Sequence, residues 1–78
     1  MIKWDGFSIT ASNELMLVGK FGKFGLSLFQ DSKNDCITWD IWHGQKGAIC
    51  SGKLFGNDFD LCKKIVENIS SELYQVIA

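Results

Sequence analysis

Four side chains in this chain can act as soft metal ligands or nucleophiles: Cys36, His43, Cys50 and Cys62. The sole histidine stands seven residues from the cysteine on either side. Zinc sites draw their ligands in close pairs such as C-x-x-C. Seven residues of strand cover ~23 Å and, being an odd number, put the two ends on opposite faces. The spacing argues against a metal centre, and no metal or cofactor is expected. Nucleophilic catalysis would pair His43 with Cys50 across a hairpin, or set Asp40 beside it. That chemistry also needs an orienting group and an oxyanion site, and no motif marks either. His43 beside Gly44 reads as a turn residue, and Cys62 as a small apolar one. No catalytic residue is assigned, and the chain reads as a non-enzyme. The carboxylates Asp5, Glu14, Asp31, Asp35 and Asp40 are scattered through turns and edges, the pattern of a solvated surface.

The stretch Gly19–Gly25, GKFGKFG, is the other candidate for chemistry. A phosphate-binding loop of the GxxxxGK[ST] type needs Ser or Thr after the lysine and a helix after the loop; here Phe follows the lysine and a strand follows the loop. GKFG matches the letters of a KH-type loop, but that loop joins helices. A two-residue turn at Gly22-Lys23 accounts for the stretch better. It pairs Phe21 with Phe24 and Leu17 with Leu28. It also puts Gly at the first turn position of a type II′ hairpin. Gly19 and Gly25 then fall inside strands, where a missing side chain lets a ring or a helix lie close.

The elements that carry these residues follow from periodicity. Phe7, Ile9 and Ala11 alternate with Ser8 and Thr10, as in a half-buried strand. ELMLVGKF, FGLSLFQ, CITWDIW and AICSGKLF are further short apolar runs bounded by glycine or polar clusters. Gly52 inside the last run predicts a bulge or a close approach. The period then changes. Asn57 or Asp58 can cap a helix whose apolar stripe is Phe59, Cys62, Ile65, Val66, Ile69, Leu73, Val76 and Ile77. The expected fold is α+β: a single domain over residues 1–78, an antiparallel meander of four to five strands over about 2–55, and one amphipathic helix over about 58–77 packed on one face.

Bulk composition narrows the function classes. The 78 residues are 46% apolar, with three Trp and six Phe, enough to build a core. The net charge is −1 and every basic residue is lysine. Near-neutrality gives no electrostatic case for nucleic acid, and bidentate phosphate or guanine recognition relies on arginine. No apolar run approaches the ~20 residues of a bilayer span. The N-terminal residues lack the apolar stretch of a signal peptide. An odd number of widely spaced cysteines reads as free thiols, and the expected location is cytoplasmic.

Alternation leaves one feature unaccounted for. If Leu15, Leu17, Leu26, Leu28, Ile37, Trp39 and Ile41 face the helix, then Met16, Val18, Phe29, Cys36 and Trp42 point away from it. An antiparallel sheet usually wets its outer face with polar residues. An outer face bearing Met16, Val18, Phe29 and Trp42 therefore reads as a protein-binding patch. Against this stands a sheet that curls and buries the face under the segment around Trp4. In length, absence of a catalytic motif and strands-then-helix order, the chain resembles small phage-encoded inhibitors of the anti-CRISPR kind. The resemblance is one of outline over the whole chain, so no residue inherits a role from it. It implies a single domain that occludes a surface of a larger host nucleoprotein complex. The alternatives are a homodimeric assembly domain, and a nucleic-acid-binding module using Lys20, Lys23, Lys46 and Lys53 with Phe21 and Phe24.

Overall fold

The computed structural model describes residues 2–77, with side chains through residue 76. Its elements are β1 (Lys3–Trp4), β2 (Ser8–Ile9), β3 (Leu15–Phe21), β4 (Phe24–Asp31), β5 (Cys36–His43), β6 (Gly47–Phe55) and α1 (Phe59–Ile77). All strand pairs are antiparallel, in the order β1-β3-β4-β5-β6, with β2 also on β3. The sheet is open and the helix lies against β4 and β5, so the fold is α+β.

The β3–β4 hairpin has the register that the glycine spacing predicts. Phe21 opposes Phe24 and Leu17 opposes Leu28. Gly22 takes φ +61° while Lys23 stays outside the positive-φ set, the combination of a type II′ turn. The residues that face the helix are Leu17, Phe24, Leu26, Leu28, Ile37 and Ile41, and they bury Cys62 and Val66 of α1. Asp58 caps that helix, accepting the Leu61 amide on Oδ1 at 3.1 Å.

Several details differ from the periodic reading. The expected strand over Phe7–Ala11 shrinks to Ser8–Ile9, and a second short strand, Lys3–Trp4, precedes it. Both pair with β3, but three residues separate Trp4 from Ser8 whereas two separate their partners Gly19 and Met16. The extra residue is a break in what is otherwise one edge strand. It leaves Phe7 edge-to-face on Phe59, ring centroids 5.2 Å apart. On the other edge, Ile41 opposes Cys50 while Trp42 opposes Ala48, so the bulge lies at Ile49, and Gly52 takes the other expected form, a close approach, by the Trp39 ring. Because of it, Ile49 and Cys50 both pack against the core. In the helix, Val76 is 84% exposed and lies off the buried stripe, and Ile77 is beyond the described side chains. Ser70 is buried, its hydroxyl donating to the Val66 carbonyl at 2.7 Å. Among the described residues no helix is long and apolar enough to cross a membrane.

Candidate protein-docking face

Cross-strand register places the four candidate residues on the sheet face away from α1. Met16 opposes Phe29, Val18 opposes Ser27, and Trp42 opposes Gly25. Gly25 is the seat of Trp42: a Cβ built there would overlap the indole ring. The ring lies across β4 toward β3, where it borders a hollow of about 250 Å³ shared with Val18 and Lys20. On its other side a hollow of about 470 Å³ is lined by Ser27, Asp40, Ala48 and Ser51. Trp42 is thus a ridge between two depressions. It is 38% exposed, and Met16, Val18 and Phe29 are half-buried. Lys20, Asp40 and Lys53 are exposed on the same face around the apolar residues.

Among the described residues, the N-terminal segment around Trp4 does not cover this face. Trp4 opposes Gly19 and rests on it from the helix side, where its Nε1 donates to Glu67 at 3.0 Å and Lys63 Nζ stands 5.7 Å from the ring centroid. All three tryptophans follow one rule. Trp4 occupies the space over Gly19, Trp42 that over Gly25 and Trp39 that over Gly52. Each glycine gives a cross-strand indole room to lie flat on the backbone. Two of the pairs face the helix and only the Trp42 pair faces outward.

Cys36 alternates onto the outer face yet is buried, at 1% exposure, so it adds no exposed apolar surface. Phe55, which alternation from Lys53 also puts there, is 79% exposed at the far corner. Parity along β6 was enough to find it. Phe24 is 2% exposed in the core, and Phe21 packs on Tyr74 at 5.1 Å. The two rings therefore present no open stacking platform beside Lys20 and Lys23.

His43 is the last residue of β5, not a turn residue, and is 4% exposed. Its Nδ1 accepts the amides of Gln45 and Lys46 at 3.1 and 3.3 Å, and its ring stands edge-on to Phe24. Those bonds tie the ring to the β5–β6 turn, and Asp40 lies on the opposite sheet face. Burial raises the thiols of Cys50 and Cys62, the latter to about 11. Among the described residues, no three His, Cys, Asp or Glu side chains gather as a metal-ligand set. Glu14 ties the β2–β3 turn to the β4–β5 turn, accepting the Ser32 amide at 2.9 Å and its hydroxyl at 2.7 Å. The Ser32 amide, then the Ser32 and Ser12 hydroxyls, hold its carboxyl below the usual value, with a smaller contribution from Lys33.

No protein-family model, curated protein sequence or solved structure matches the chain.

Proposed function

We propose that the chain is a non-enzymatic protein-binding domain whose outer sheet face, with Trp42 at its centre and Met16, Val18 and Phe29 beside it, docks on a protein partner. One observation carries this reading: of three Trp-Gly pairs, the Trp42 pair alone points away from the helix, and its indole stands between two hollows. Tryptophan is the residue most over-represented among energetic hot spots. The finer reading is a phage-type inhibitor, cytoplasmic, that occludes a surface of a host nucleoprotein complex. Its support is the outline of length and element order. A homodimer is the second reading, favoured by Phe55 standing 79% exposed at the end of edge strand β6.

The test compares Trp42→Ala with Trp39→Ala. Trp42→Ala is expected to keep the native circular-dichroism spectrum and a melting point within a few degrees of wild type. It should weaken capture of the partner by ~30-fold or more, the equivalent of ≥2 kcal/mol. Trp39→Ala, whose ring packs against the core, should lose stability first. The reverse order, or a Trp42→Ala variant that binds as wild type does, would remove the outer face from consideration.

A further inference from the structure

A second site lies at one end of the sheet, where the β3–β4 turn, the β5–β6 turn and the last turns of α1 meet. A cleft of about 500 Å³ is lined there by Lys23, His43, Lys46 and Tyr74, with Gly22, Phe24 and Gln45. The bonding of His43 decides what this cleft can hold. Nδ1 is an acceptor for two amides, so the neutral ring carries its proton on Nε2, an assignment that rests on the hydrogen-bond pattern. Nε2–H has no partner among the described residues, in a residue that is only 4% exposed. No described side-chain nitrogen or oxygen is both sealed from solvent and unpartnered. Nε2–H is therefore reached from outside, and the cleft that His43 lines is its opening. The ring is fixed through Nδ1, so this donor stands ready for a ligand acceptor that enters the cleft.

The charge of the lining names the acceptor. Two lysines border the cleft and no carboxylate among the described residues does. Lysine binds phosphate as a point charge and needs no bidentate geometry. Tyr74 adds a half-exposed phenol, its ring braced on Phe21. The volume exceeds that of a bare tetrahedral anion and leaves room for an organic body against Phe24 and Tyr74. We propose that this cleft binds a small phosphate monoester, with the phosphate group between Lys23, Lys46 and His43 Nε2–H. The site does not involve Met16, Phe29 or Trp42, so it stands or falls apart from the docking face.

The chain has one histidine, so its imidazole resonances need no assignment by mutation. Inorganic phosphate and phenyl phosphate would be titrated at fixed pH and ionic strength while the His43 ring nitrogens are followed by NMR. The expected result is a saturable shift of Nε2 in wild type. In the Lys23→Gln/Lys46→Gln double variant, whose melting point should match wild type because both residues are exposed turn positions, the midpoint should move at least ~10-fold higher, the weight of one lost charged contact. Tighter binding of phenyl phosphate than of inorganic phosphate identifies a monoester; equal binding assigns the cleft to free phosphate and overturns the organic body. No saturation with either probe, or the same midpoint in the double variant, overturns the site altogether.

Discussion

At the residue scale, the three glycines under tryptophans are the most demanding positions in the chain. Their need for a missing side chain comes from a neighbouring strand, not from backbone conformation. A methyl at Gly25 or at Gly52 would overlap an indole, of Trp42 in one case and of Trp39 in the other. The two substitutions should nevertheless differ. Trp42 is 38% exposed and can swing outward, whereas Trp39 is packed against the core. Gly52→Ala is expected to cost about 1–3 kcal/mol as overpacking and to lower Tm by roughly 5–15 °C. Gly25→Ala should lower Tm by no more than about 4 °C, while shifting tryptophan fluorescence as the Trp42 ring meets water. Thermal melts with emission spectra on both variants check this. Equal losses of Tm would show the two faces to be equally packed. Cys62 gives the alkaline counterpart. Its folded thiol titrates at about 11 against an ordinary value of 9. The unfolded chain therefore releases that proton first, and stability present below pH 9 is lost as pH rises from 9 toward 11. Urea unfolding at pH 8 and pH 10.5 should show this loss in wild type and a smaller one in Cys62→Ala.

At the scale of elements, one helix covers one face of the sheet, and its stripe is narrower than its periodicity suggests. Cys62 and Val66 are fully buried, Ile69 and Leu73 partly so, and Val76 hardly at all. Ile69→Ala should therefore cost ~2 kcal/mol, the lower end for such a truncation because the site is only partly closed. Val76→Ala should fall within ±0.5 kcal/mol of wild type, as ordinary surface substitutions do. Urea midpoints for the two variants test the placement, and a large loss at Val76 would extend the buried stripe by a further turn. The N-terminal strand is tied to the same helix through Trp4 and Glu67, so the helix holds both the middle of the sheet and one of its edges. Each edge is interrupted, by the break between β1 and β2 on one side and the bulge at Ile49 on the other. Interruptions of this kind discourage strand-to-strand association.

At the scale of the whole molecule, the outer face is small. Four strands of seven to nine residues and a broken edge strand, ~4.8 Å apart, present roughly 600 Å² in plan. A standard interface takes ~800 Å² from each partner. A protein that docks on this face alone makes a contact of modest area, so the central tryptophan must supply a large share of the affinity. Interrupted edges and a small face together predict a monomer at tens of micromolar. Sedimentation equilibrium checks it. A dimer that dissociates in Trp42→Ala would make the outer face a self-association surface, and a dimer that persists in that variant would place the contact on β6 near Phe55.

Period and turn chemistry by themselves determined the strand-to-helix order, the GKFGKFG hairpin with its register, a helix cap at Asn57 or Asp58, of which the structure uses Asp58, and the parity that puts Met16, Val18, Phe29 and Trp42 on one side. Each of these depends on residues within a few positions of one another, where a side-chain period of two or 3.6 leaves little freedom. The rest required distant segments to meet. Which glycine receives which tryptophan depends on cross-strand neighbours, and Trp4 reaches Gly19 only because the N-terminal strand joins the β3 edge. The bulge at Ile49 and the break before β2 are one-residue offsets between two partners, invisible in either partner alone. The burial of Ser70 and His43 and the exposure of Val76 were decided by what the opposite layer covers. Alternation tells which way a side chain points; only the tertiary structure supplies, or withholds, the atoms that bury it.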